Sequence, residues 1–165
     1  MKIVELTSQD TAAYKAFFLQ GLQDHPDCFR ISPDDELHES FPTRNREDSF
    51  TLAIIDDSER MQGVVSFLRD GSTRERLKHK GLLFRMYVHK ENHGKGYGKI
   101  LISELIERVK KHTDIEQINL TVISTNTGAK KLYERFGFKT FSVEYRAIKD
   151  ANVYRTEEQM VLFIK

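Results

Sequence analysis

A single cysteine, Cys28, stands in a chain of 165 residues. One thiol excludes an internal disulfide and a cysteine-rich metal site. The six histidines show no metal-ligand spacing of the H-E-x-x-H kind, so no metal is expected. Net charge is also scarce: 26 lysines and arginines face 25 aspartates and glutamates, a formal charge of +1. That balance lacks the basic surplus of a nucleic-acid-binding surface. No apolar run approaches the roughly 20 residues that span a bilayer. The start, Met1-Lys2-Ile3-Val4-Glu5, carries no apolar signal region. No linker, repeat or low-complexity stretch interrupts the chain. The expectation is one soluble, cytoplasmic domain over 1–165, long enough for a real core. Cys28 has no motif around it and reads first as a small buried hydrophobe.

The pattern that is present alternates strands and helices. Residues 2–6 suit a strand, and Ser8 or Asp10 can cap a helix over 11–24 that ends before Pro26. Tyr14, Phe17, Phe18 and Leu22 share one face of that helix. Ser32-Pro33 followed by acidic residues reads as the start of a short second helix. Strands are expected over 50–56, 61–69 and 77–88, joined by short connections that imply an antiparallel meander. A helix over 100–109 carries Leu101, Ile102, Leu105, Ile106 and Val109 on its apolar side. Then come a strand over 118–123 and a helix over 128–136, closed by Gly137. Strands over 138–147 and 158–165 end the chain. This is an α/β (α+β) pattern, a mixed and mostly antiparallel sheet flanked by helices.

The segment Val88-His89-Lys90-Glu91-Asn92-His93-Gly94-Lys95-Gly96-Tyr97-Gly98-Lys99 joins a strand to a helix. A helix N-terminus offers unpaired N–H groups, and glycines let a ligand approach the backbone, so this junction suits an anion, most often a phosphate. Two familiar phosphate motifs fail by count. The dinucleotide fingerprint needs a third glycine where Lys99 stands. The P-loop needs glycine at His93 and a hydroxyl residue at Ile100.

Two other motifs fit together. His93, Gly96 and Gly98 occupy the positions of [R/Q]-x-x-G-x-[G/A], with histidine replacing the first residue. Asn126, Ala129, Leu132, Tyr133, Gly137 and Phe138 match N-x-x-A-x-x-L-Y-x-x-x-G-F. In this order, the pair resembles the GNAT (GCN5-related) N-acetyltransferase superfamily across residues 82–138. The resemblance implies the GNAT acyl-CoA N-acyltransferase fold. It also implies an enzyme that uses acetyl-CoA as cosubstrate and acetylates a primary amine by direct attack. The acceptor is either a small molecule or a protein or peptide N-terminus. Transfer of a longer acyl group, or an acyl-CoA-sensing module without turnover, are the alternatives.

Carried onto this sequence, the resemblance implies that His93, Gly94, Lys95, Gly96, Tyr97, Gly98 and Lys99 cradle the diphosphate. Lys90, Lys130 and Lys131 add positive charge. Met86, Tyr87 and Val88 flank the pantetheine arm and acetyl group, with a backbone N–H at Tyr87 or Val88 polarising the carbonyl. Asn126 and Ala129 line the arm, Asn126 either bonding its amides or merely capping a helix. Tyr133 is the candidate general acid, although periodicity alone also makes it a core residue. No general base emerges: the strand before the loop offers Arg85 and no carboxylate. His38, Glu39, His79, Glu144 and Tyr145 are the candidates. Acceptor choice is expected to lie in 29–50, 72–80 and 138–154. The family also makes a homodimer through its C-terminal strands plausible.

Overall fold

A computed structural model describes residues 1–165. Strand β1 (Lys2–Leu6) leads through a 3₁₀ turn (Ser8–Asp10) into helix α1 (Thr11–Asp24). The cap is neither Ser8 nor Asp10. Thr7 accepts from the Gln9 amide, and Asp10 turns back to accept the Thr7 N–H at 2.8 Å. This reciprocal box satisfies two otherwise orphaned donors and is worth about 1 kcal/mol. A second box, Ser32 with Asp35, starts the short helix α2 (Pro33–His38), whose Pro33 lacks an N–H that would go unpaired anyway.

Strands β2 (Ser49–Ile55), β3 (Met61–Arg69) and β4 (Lys80–Val88) form the antiparallel meander. β4 starts later than the residue 77 expected, because the Leu77 and Lys78 amides close a turn onto the Arg74 carbonyl. Helix α3 (Tyr97–Lys110), strand β5 (Gln117–Ile123) and helix α4 (Thr127–Arg135) follow. Gly137 ends α4 at φ +94°, the left-handed conformation expected of it. The hairpin β6 (Lys139–Asp150) and β7 (Val153–Phe163) is longer than expected; a two-residue turn at Ala151-Asn152 lets pairing begin at Asp150 and Val153.

The seven strands form one sheet in the order β1-β2-β3-β4-β5-β7-β6, in which β4 and β5 make the parallel contact. On one face, Leu101, Ile102, Leu105, Ile106 and Val109 of α3 meet Phe50, Leu52, Ile54, Val65 and Phe67. Full burial of each such side chain contributes about 1.5–3 kcal/mol. On the other face, Tyr14, Phe17, Phe18 and Leu22 of α1 meet Ala53, Ile55, Val64 and Tyr87. No helix is long and apolar enough to cross a membrane.

Where β4 enters the sheet, the tip of the Phe67 ring abuts Gly81. A Cβ added at Gly81 would fall 2.2 Å from the ring Cζ. Phe67 is fully buried and has no room to retreat. Gly81→Ala is therefore expected to lower the unfolding free energy by about 1–3 kcal/mol, read from urea midpoints. An unchanged midpoint would show that the ring can move.

Candidate active site

β4 and β5 pair at three positions only, Lys80↔Gln117, Gly81↔Ile118 and Leu82↔Asn119. Beyond Leu82 they part, and a cleft of about 1250 Å³ opens between them. A bulge in β4 accompanies the parting. Val64 pairs with Tyr87 and Ser66 with Phe84, so Arg85 and Met86 together oppose Val65. Arg85 takes φ +50°, unusual for a residue with a side chain. Its guanidinium pairs with the fully buried carboxylate of Glu36, donates to the Tyr14 hydroxyl at 3.3 Å, and lies 5.2 Å over the Phe18 ring. Burial pushes Tyr14 up to about 12, which keeps it a neutral phenol. The carboxylate that the strand lacks is thus supplied by α2. It is spent on holding the bulge.

At the mouth of the cleft, Gly94 (φ +77°) and Gly96 (φ +86°) turn the chain into α3. Added Cβ atoms there would meet nothing within 4 Å, so the backbone faces open space beside the free amides of the first turn. Gly98 has another reason: a Cβ would lie 2.8 Å from Leu132, so this glycine lets α3 approach α4. His93 places Nε2 2.8 Å from the Val88 carbonyl and stacks on His25 at 5.6 Å, tying the loop to the end of β4. Tyr97 and Lys99 line the cleft and Lys95 does not; its Nζ donates to Asn92 instead. Among the other lysines, Lys130 is held by Glu158 at 2.8 Å and Lys90 by Asp24 at 3.5 Å. Lys131 is exposed outside the cleft, whereas Arg135 and Lys149, unassigned from sequence, line it.

Met86, Tyr87 and Val88 flank the inner cleft. Tyr133 reaches in from the α4 side, its hydroxyl 3.7 Å from the Met86 sulfur and its ring 5.9 Å from Phe138. It is 7% exposed. Burial alone pushes its phenol well up, so it keeps its proton. Tyr133 thus packs in the core and lines the cleft at once. Asn126 caps its helix, its Oδ1 accepting the Ala129 N–H at 3.3 Å, and it also lines the cleft beside Ala129.

None of the five candidate bases reaches the cleft lining. His38, Glu39 and Glu144 are exposed, Tyr145 is 80% exposed, and His79 sits at the opposite end of β4. Two of the three segments expected to surround an acceptor do line it, through Phe29, Arg30 and Ile31 and through Ala147, Ile148 and Lys149; 72–80 does not. Cys28 borders the cleft with its thiol pushed up by burial, the reverse of an activated nucleophile. Sequence reading missed Glu157, which is 1% exposed behind Arg30. The signal was the pair Glu157-Glu158 in a strand, where alternation sends one carboxylate to each face. Gly96→Val should fill the open space at the α3 N-terminus, weakening coenzyme A binding in calorimetry by tenfold or more, about 1.4 kcal/mol. Far-UV dichroism should remain that of the folded chain. Unchanged affinity would remove the loop from the binding site.

The arrangement recurs in solved structures. The acetyltransferase of the GNAT family from Streptococcus pneumoniae superposes with a TM-score of 0.84 at 22% identity, covering 99% of each chain. The yncA protein from Salmonella typhimurium, solved with its cofactor acetyl-CoA, gives 0.80 at 18% identity over 100% of this chain and 94% of that one. At such identities these likenesses speak for the fold. A protein named Probable spermine N(1)-acetyltransferase, from Bacillus subtilis subsp. natto (strain BEST195), is 35% identical over 57 residues. That match spans 34% of this chain and 38% of the relative. The family model for the acetyltransferase (GNAT) family matches residues 17–138, most of the chain and every motif residue from His93 to Phe138. This chain belongs to the GNAT acetyltransferase family.

Proposed function

We propose that this protein, as a single catalytic domain, transfers the acetyl group of acetyl-CoA to a primary amine by direct attack in a ternary complex. The parting of β4 from β5 carries this reading, because it leaves the facing edges of both strands without a sheet partner beyond Leu82. A pantetheine arm has amides spaced to pair with such an edge. The open seat at Gly94 and Gly96 suits the diphosphate, and Lys99, Arg135 and Lys149 give the cleft a cationic rim for an anionic ligand. Bound acetyl-CoA supplies the activated acyl group. A backbone N–H at Tyr87 or Val88 steadies the charge that develops on the acyl oxygen, a contribution of roughly 3–4 kcal/mol for one donor. Tyr133, kept protonated by burial, gives its proton to the departing sulfur.

A small amine acceptor is favoured over a peptide terminus. The partial relative named for spermine is the support, together with the cleft side wall formed by Phe29, Arg30 and Ile31. A homodimer through edge strand β6 belongs to the same proposal. β6 has no partner on its outer side and exposes Phe141, Val143 and Tyr145.

Calorimetric titration with acetyl-CoA, with NAD and ATP as controls, tests the reading. Saturable binding of acetyl-CoA alone is expected; its absence overturns the assignment. Tyr133→Phe should lower kcat by about 100-fold, the low end for a lost general acid, without moving the affinity for acetyl-CoA. Unchanged turnover would leave Tyr133 a core aromatic only.

A further inference from the structure

On the face of the sheet that carries α1, a carboxylate lies beneath the acceptor wall of the cleft. Glu157 of β7 pairs in register with Ile123, the last residue of β5, and with Glu144 of β6. Strand alternation sends Glu158 to the α4 face, where it holds Lys130, and Glu157 to the opposite face. There Arg30 covers it. Arg30 Nε stands 2.6 Å from Oε1, an ion pair that puts a positive charge directly on this carboxylate. The next residue, Phe29, packs on Tyr87 of β4 at a centroid distance of 6.2 Å. Two adjacent residues therefore span the cleft, one touching β4 and the other touching β7.

β6 also breaks its pairing opposite this point. Glu144 pairs with Glu157 and Ile148 with Arg155, so β6 carries two extra residues here, with Arg146 at φ +56°. Bulges collect beside active sites because they re-aim side chains. Ala147 and Ile148, which end this bulge, line the cleft.

Resting on the acetyl-transfer reading, we propose that Glu157, which lies behind Arg30 and is not itself part of the cleft lining, is the acceptor-side base, reached when the Arg30 side chain swings aside. Arg30 is 63% exposed and long, so it can leave without disturbing the core. An arriving ammonium takes the place of its guanidinium. Glu157 removes one proton from the ammonium; the freed lone pair forms the C–N bond as the C–S bond breaks, and the second surplus proton on the nitrogen passes to solvent as the amide forms. Tyr133 protonates the sulfur from the other face of the sheet, and both groups reset through solvent. Burial holds the Glu157 carboxyl above the usual carboxylate range, with Glu144 adding to the rise and Arg30 opposing it. Arg155, two residues back on the same strand face, lies near Cys28 and is the other cation on this side. A carboxylate with a raised pKa contributes no stability to the fold once pH passes its unfolded value. Its charge is thus unexplained by folding, and a carboxyl held above its usual range is a better proton acceptor than a free one.

The test uses the full chain with acetyl-CoA and a panel of spermine, putrescine and an alanine-led peptide, following thiol release from pH 5 to 9. In the wild type, kcat/KM should rise with pH through an acidic limb. Glu157→Gln should lose that limb and at least 100-fold in kcat, with acetyl-CoA affinity within twofold and no fall in melting temperature at pH 7. Glu157→Asp should recover part of the rate. Arg30→Ala should move the limb to higher pH, because the opposing cation is gone. Turnover by Glu157→Gln within threefold of wild type, or a limb that Arg30→Ala leaves in place, overturns the assignment. So does a wild type that binds acetyl-CoA and acetylates no member of the panel. Failure of the wild type to bind acetyl-CoA instead overturns the transfer reading itself.

Discussion

Everything around the cleft depends on keeping two neighbouring strands of one sheet apart. β4 and β5 meet at three residue pairs and then diverge, which forfeits backbone hydrogen bonds that a closed sheet would have made. The structure offsets this from both sides. On the α1 face, the close approach of Gly21 brings the helix onto the Tyr87 ring, where a Cβ would fall 2.8 Å away. On the α4 face, Gly98 lets α3 and α4 close beneath the opening, with Leu132 and Met86 in the gap. In between, the Arg85 bulge shifts the register of β4 against β3. Its left-handed residue is kept by an ion pair with the fully buried Glu36. Such a pair adds little net stability over apolar packing, but loss of either partner strands a buried charge. It acts as a specification of strand shape more than as a source of stability.

This also explains why the strand before the loop has no free carboxylate. The position is taken by a cation whose partner comes from α2, 49 residues away in sequence. One charge pair therefore links α2, next to the cleft-lining residues Phe29, Arg30 and Ile31, to the strand on the other side of the cleft. The helix that bears Glu36 is six residues long and cannot persist on its own. Its position is fixed by Arg85, so the wall and the bulge form together.

What the sequence disclosed follows from range. Features set by a few neighbouring residues were legible: the apolar side of α3, the Ser32 cap, the left-handed Gly137, the glycine turn into α3. Thr7 was overlooked as a cap because Ser8 and Asp10 offered the same chemistry one and three residues on, and only the backbone direction chooses among them. The hairpin was read short because Arg155, Thr156, Glu157, Glu158 and Gln159 are polar or charged and hide the alternation between Val153-Tyr154 and Met160. Features set by distant residues were not legible at all. Nothing local marks Arg85 as left-handed, since the usual sign of such a bulge is a glycine. The lysines beside the two motifs looked equivalent as phosphate partners, yet Lys130 and Lys90 already have carboxylates.

The two proton-bearing groups of the site illustrate why burial alone does not assign a role. Tyr133 and Glu157 are both nearly inaccessible, and burial raises both. For a phenol, a raised pKa deepens a state it already holds at neutral pH, so Tyr133 becomes a more secure donor. For a carboxyl, the same rise moves it toward the pH at which it can exchange a proton. A cation beside it then sets how far the rise goes. One physical effect thus secures the proton of a phenol on the α4 face and lifts a carboxyl toward proton exchange on the α1 face.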